Sequence, residues 1–325
     1  MQQKETRKKA NPGLRVLVMG GLGFIGSHLC RSLLSEGYDV RIFDKLYGSR
    51  ALIRDFEPEV EIAEGDVERH EDVLGALQDM DVCVDLIHTT VPGSSMQDPV
   101  YDIESNVVSS VKWLSSLGKT GLSRVIYVSS GGTVYGVPRS NPIREDHPTD
   151  PISSYGISKL AIEKYVSMYA DLCGIQYRIC RPSNVFGEDQ QLNIGQGVIG
   201  VFLKRALAGQ PIEIWGDGAC KRDYLYVKDL VSGIVKLIRH EGNGRVFNVS
   251  TGTGYSLNDI VAIVSKCLGA PVKVDFKPPR GYDVPVNVLD SSLLRTETGW
   301  SPETDLVAGI RRVYAWLKTR SKPDE

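Results

Sequence analysis

The chain has 325 residues, of which 42% are apolar and 24% charged, and a formal net charge of −2. That length exceeds one small core and fits a large α/β domain or a main domain with a smaller lobe. No stretch approaches eighteen uncharged apolar residues, which excludes a membrane-spanning helix, and the near-neutral charge argues against nucleic acid as a general partner. Residues 1–13, "MQQKETRKKANPG", are polar and basic without an apolar core, and read as a disordered tail on a cytoplasmic protein. Cys30, Cys83, Cys173, Cys180, Cys220 and Cys267 are scattered, with no CxxC pair and no His/Cys cluster at metal spacing. Reduced thiols and no bound metal are expected.

From Leu14 the chain alternates short apolar runs with longer amphipathic stretches. "LRVLVMG" (14–20), "DVRIFD" (39–44), "VEIAEGD" (60–66), "VCVDLI" (82–87), "RVIYVSS" (124–130) and "IQYRIC" (175–180) read as strands. Helical spacing covers about 24–36, 68–79, 99–118 and 154–173 between them. This rhythm implies an α/β fold, a Rossmann-type doubly wound parallel sheet with ligands in the crevice at the strands' carboxyl ends. After Arg181 the rhythm breaks. Gly-rich "GQGVIG", helical segments at 198–208, 228–240, 256–268 and 303–319, and short strands such as "PIEIWG", "VFNVS" and "VKVDF" read as a smaller mixed α/β substrate lobe. The expected organisation is residues 14–181 as a dinucleotide-binding domain and 182–325 mainly as that lobe, with segments around "RDYLYVKDL" returning to the first domain.

"VLVMGGLGFIGSHL" places Gly20, Gly23 and Gly26 after the first strand and at the opening of a helix. Glycine permits the tight turn and lets backbone approach a pyrophosphate, while the helix N-terminus offers amide donors and partial positive charge. Asp44 ends the second strand, where a carboxylate accepts hydrogen bonds from ribose hydroxyls and repels a 2′-phosphate. This favours NAD, with nearby Lys45 and Arg50 as the features that would suit NADP. Asp66, ending the third strand, is a second acceptor, for the adenine amino group.

"SSYGISKLAIEKY" opens with serines suited to an N-cap and puts Tyr155 and Lys159 on one helical face. A free phenol has a pKa near 10, so a base working near neutrality needs its anion favoured by roughly three pH units, about 4 kcal/mol. A neighbouring ammonium and an oxidised nicotinamide can supply that together.

With these pieces in place the chain resembles the extended short-chain dehydrogenase/reductase family, in particular the nucleotide-sugar 4-epimerases typified by UDP-galactose 4-epimerase. The resemblance runs from Leu14 over nearly the whole chain, through "GGLGFIG", "FDKL", "EGDV", "SSGGTVYG", "YGISK", "RPSNVFG", "KRDYLYVKDL", "FNVSTG" and "RGYDV". The segment "TTVPGSSMQDPVYDIESN" looks closest to the branch serving bacterial surface-polysaccharide synthesis.

The resemblance implies that Tyr155 is the base and that Lys159 holds the cofactor ribose while lowering the tyrosine pKa. Tyr155 removes the C4 hydroxyl proton of a diphosphate-linked sugar as hydride passes to NAD; the 4-keto sugar turns over and hydride returns to its other face. Phe24 and Ile25 in the glycine turn, Val67 after Asp66, Thr90 after the fourth strand and Pro182 fall among cofactor contacts, and Asn184 beside the substrate. Arg222 and Arg280 match arginines that grip the diphosphate, and Asp283 an acid near the nucleotide ribose. Asn287 stands where a bulky residue excludes N-acetyl groups, so its small size implies room for a 2-acetamido sugar.

The chain also departs from the pattern. His88, Thr89 and Thr90 replace the small residues usual after the fourth strand, with His88 read as structural. The serine or threonine that usually hydrogen-bonds the reacting oxygen falls on Gly131, leaving Thr133 or Ser130 to take its task. Gly132 and Thr133 stand where 4,6-dehydratases and UDP-glucuronate decarboxylases carry acids, which favours epimerisation over those alternatives, and the presence of both Tyr155 and Lys159 argues against a silent dinucleotide-binding regulator. The carrier is UDP, another nucleotide or a lipid diphosphate, and the family pattern implies a homodimer through paired helices at 99–118 and 154–173.

Overall fold

The computed structural model describes residues 13–45, 48–192, 197–279 and 284–320; the tail through residue 12, Arg280 and Asp283 lie outside the described residues. The first half alternates strands and helices: β1 (Arg15–Met19), α1 (Phe24–Ser35), β2 (Asp39–Asp44), β3 (Glu61–Glu64), α2 (His70–Leu77), β4 (Val82–Asp85), α3 (Pro92–Gln97) and α4 (Pro99–Asp102). A π-helical segment (Ile103–Val108), α5 (Ser109–Leu114), β5 (Arg124–Val128), α6 (Ser154–Cys173) and β6 (Gln176–Pro182) complete it. There follow β7 (Asn184–Phe186), α7 (Val198–Leu207), β8 (Ile212–Trp215), β9 (Lys221–Tyr226), α8 (Val227–Ile238), β10 (Val246–Val249) and β11 (Gly254–Ser256). The chain ends with α9 (Leu257–Leu268), β12 (Val274–Lys277), β13 (Val286–Asn287), α10 (Ser292–Thr298) and α11 (Leu306–Arg320).

Seven parallel strands form the main sheet in the order β3-β2-β1-β4-β5-β6-β10. Their apolar runs are continuous because both faces are covered. On β1, Val16 and Val18 face α1 and α8, whereas Leu17 and Met19 face the layer of α2, α5 and α6. The direction of winding reverses between β1 and β4, which opens a crevice at the strands' carboxyl ends. A second core forms where α7, α9 and α11 enclose β8 and β9 through Phe202, Leu203, Ile214, Tyr224, Ile260 and Val313.

Two expectations change. "VFNVS" is not a lobe strand: as β10 it pairs with β6, and buried Phe247 and Val249 extend the main sheet's core. The helix expected over 99–118 is divided into α4, the π segment and α5.

One buried ion pair ties the sheet to α6. Arg181, in β6, donates through Nε to Glu163 Oε1 at 2.9 Å and through Nη2 to Oε2 at 2.6 Å, with both residues 3% exposed. Ser129 Oγ donates to the same carboxylate, and Arg181 Nη1 donates at 2.9 Å to Tyr135 Oη, which donates to Asn248 Oδ1 at 2.8 Å. Removing one partner strands the other charge in a dry site. Glu163→Ala should therefore lose about 3–5 kcal/mol in urea unfolding, far more than loss of an exposed pair such as Arg31 with Asp55; equal losses would contradict the assignment.

Candidate active site

The turn from β1 into α1 is built so that only glycine fits. Gly20 has φ +83°, and a Cβ on Gly26 would lie 2.2 Å from the Gly20 carbonyl oxygen. Gly21, not singled out from the sequence, is pressed against Ile42, 2.7 Å from a built Cβ. Gly23 caps α1 without any side-chain hydrogen bond, so the helix's first amides are left to a ligand. Phe24 and Ile25 line the cleft. Asp44, at the end of β2, accepts from Leu22 N and Lys45 N, both at 2.9 Å, which aims its carboxylate at this turn. This backbone cradle with an acid beside it fits a dinucleotide pyrophosphate and ribose. Asp66 accepts from Glu68 N at 3.0 Å, and Val67 is buried in the core beneath the sheet rather than on the cleft wall.

The cleft, about 1120 Å³, lies between the sheet's carboxyl edge and the lobe. Tyr155 and Lys159 line it from α6, together with Ser130, Gly132, Thr133, Pro182 and Asn184. Ser153 starts α6 by accepting from Gly156 N at 3.2 Å, and Ser95 Oγ of α3 accepts from Tyr155 N at 3.0 Å. Lys159 Nζ donates to Val128 O at 2.9 Å and lies 5.9 Å from the Tyr155 ring centre. Burial brings the lysine down to about 8, opposed by Asp85, Glu163 and Asp102. Burial and then the Asp102 charge push the Tyr155 phenol above its ordinary value. The protein alone therefore holds the phenol protonated.

Position 131 has no space for a hydroxyl. A Cβ on Gly131 would lie 2.3 Å from Leu289 Cδ1 and 3.0 Å from Arg181 O, and its amide donates to Pro182 O at 2.9 Å. Ser130 and Thr133 reach the cleft instead, and Thr133 Oγ1 is buried without a hydrogen-bond partner among the described residues. His88 also lines the cleft, its ring edge-on to Tyr155 at 4.5 Å between centres, and burial holds it neutral, at about 4. The Thr90 hydroxyl donates to Asp102, because α4 brings that buried carboxylate against it.

At the lobe end Arg222 lines the cleft, with Nη1 donating to Lys221 O at 2.9 Å and Val284 O at 2.6 Å. Those bonds orient the guanidinium and leave other donors for an anion. Trp215, Cys220 and Tyr224 also line the cleft. No pattern in the sequence marks these three, since only the lobe's folding brings them to the cleft. Asn287 pairs with Arg222 in β13–β9 register but is 2% exposed, with Nδ2 donating to Gly131 O at 3.4 Å. The extended strand directs its side chain at the β5 turn.

Comparison with known proteins agrees with this geometry. The profile of the NAD dependent epimerase/dehydratase family matches residues 16–250. A UDP-glucose 4-epimerase of Mycolicibacterium smegmatis is 33% identical over 314 residues, covering 95% of this chain and 100% of its own. The UDP-glucose 4-epimerase of Thermotoga maritima, solved with UDP-glucose, superposes with a TM-score of 0.89 at 30% identity, over 95% of this chain and 100% of that one. The UDP-N-acetylglucosamine 4-epimerase of Methanobrevibacter ruminantium, solved with UDP-N-acetylmuramic acid, gives 0.89 at 28% identity over the same shares.

Gly131→Ser should lower stability by about 1–3 kcal/mol through overpacking and bring no gain in turnover. Wild-type stability with faster turnover would show that the position faces the reacting sugar.

Proposed function

The chain belongs to the NAD dependent epimerase/dehydratase family, and on that premise we propose that it inverts C4 of a UDP-linked hexose or N-acetylhexosamine. The observation that carries this reading is a tyrosine–lysine pair facing two hydroxyl residues on a turn that bears no acid. Gly132 and Thr133 occupy that turn, so the site has an acid/base without the carboxylates that elimination would call for.

The glycine turn, with Asp44 at the ribose, would hold NAD, which would supply a hydride acceptor and donor at C4. Tyr155 accepts the C4 hydroxyl proton and later gives it back. Its anion needs cationic help, and the Lys159 ammonium beside the ring provides part of it. Thr133 Oγ1, unpartnered among the described residues, would bind the reacting sugar oxygen, and Ser130 would face the nicotinamide. Arg222 offers its remaining donors to the diphosphate, and Asn184 lies beside the sugar. Arg280, like Arg222, is proposed to grip the diphosphate, and Asp283 to contact the nucleotide ribose.

Exposed apolar side chains on α4 and the π segment (Val100, Ile103) and on α6 (Ile157, Leu172) support a homodimer through these helices. Among the described residues no helix is long and apolar enough to cross a membrane, which fits a cytoplasmic enzyme acting on nucleotide sugars for polysaccharide synthesis.

Purified protein incubated without reductant with UDP-Glc, UDP-GlcNAc, UDP-GlcA and their 4-epimers should give the 4-epimer of a neutral sugar with C4 deuterium retained. Release of water or CO₂ would sink the reading. Tyr155→Phe should lower turnover by about 10²–10⁴-fold, and Thr133→Val more than Ser130→Ala; the reverse order would reassign the hydroxyl. Below about 8 Lys159 is charged and favours the phenolate, so turnover should decline as pH rises through that value. A flat alkaline profile would contradict the role of the ammonium.

A further inference from the structure

Asp102 ends α4 and has no exposed surface. Its Oδ2 accepts from Ser154 Oγ at 2.8 Å and Ser158 Oγ at 2.7 Å. Its Oδ1 accepts from Thr90 Oγ1 and, at 3.2 Å, from Asn106 Nδ2. Among the described residues its one ion-pair partner within 4 Å is His88 Nε2 at 3.6 Å, too far for a hydrogen bond, on a ring held neutral by burial. Burial alone would raise this carboxyl, but the facing His88 ring and then the Thr90, Ser158 and Ser154 hydroxyls outweigh it and hold the group below the usual carboxylate range. A buried anion sustained by hydroxyls and an amide, without a cation, is costly to keep for packing alone.

The donors show what that cost secures. Ser154 and Ser158 immediately precede Tyr155 and Lys159, so one carboxylate grips both turns of α6 that present the pair to the cleft. The other oxygen of the same carboxylate holds Thr90, two residues beyond His88, whose ring packs edge-on against Tyr155. Directly after Asp102 the helix widens into its π segment, a device that re-aims side chains at functional sites.

We propose that Asp102 is a positioning residue for the base: by accepting from Ser154, Ser158 and Thr90 it locks Tyr155, Lys159 and the His88 wall of the cleft into one rigid unit. This rests on the epimerase reading of the site. The groups facing Tyr155 are His88 after β4, Asp102 on α4 and Lys159 on α6; Tyr127 on β5 and Asp85 on β4 lie behind Lys159, with Glu163 one turn further along α6. Asp102 opposes the phenolate that Lys159 favours, so removing its charge and removing its grip have separable effects.

Asp102→Asn, which keeps an acceptor oxygen, should move the acid limb of kcat about one pH unit toward acid. Ser154→Ala with Ser158→Ala should leave that limb in place and lower kcat about 10-fold or more at unchanged KM. Tyrosinate absorbance, taken as the difference from the matching Tyr155→Phe variants, should titrate at lower pH in Asp102→Asn than in the parent. This readout needs no turnover: a shift in a protein that epimerises no sugar would keep the positioning role and overturn the epimerase reading. An active parent with neither the limb nor the titration moved by Asp102→Asn, or with the double serine change altering KM instead of kcat, would overturn the positioning role.

Discussion

The pair of Arg181 and Glu163 is the constraint on which the rest of the site hangs. It joins the carboxyl end of β6 to the middle of α6, and through Ser129 and Tyr135 it also holds both ends of the turn that follows β5. Burying two charges costs several kcal/mol each unless geometry and further hydrogen bonds compensate. Here the guanidinium and carboxylate meet through two bonds, and a serine and a tyrosine satisfy what remains. The pair thus adds little net stability but excludes any arrangement in which helix, strand and turn are displaced from one another.

With α6 fixed against the sheet, the cradle and the base fall into one crevice. The glycine turn leaves β1 where the winding reverses, and β5 and β6 end alongside it. Gly131 shows how tightly this edge is packed: backbone from β6 and the Leu289 side chain fill the volume that a side chain would need. The hydroxyl residues to either side of it, Ser130 and Thr133, line the cleft.

The electrostatics of the site are balanced against the reaction at rest. Desolvation disfavours the charged forms of both Tyr155 and Lys159, and Asp102 adds to the cost of the phenolate. Asp85 is buried beside the lysine and is itself pushed up to about 6 by burial, so it supports the ammonium only above that pH. A phenol placed this way gains proton affinity without ligands, and its anion is favoured only when positive charge enters the cleft.

Features governed by short-range pattern were legible in the sequence. The alternation of strands and helices, the glycines after β1, Asp44 closing β2, and Tyr155 with Lys159 one turn apart all follow from periods of two and 3.6 residues and from turn chemistry. Comparison with family patterns also exposed the missing hydroxyl at Gly131. What only the tertiary structure decided involves residues far apart along the chain: Asp102 with Ser154 and Ser158, Glu163 with Arg181, β10 beside β6, and Trp215 at the cleft. Local sequence specifies backbone conformation and the face each residue takes; which buried polar groups must find one another is settled only when the elements pack and every desolvated charge needs a partner.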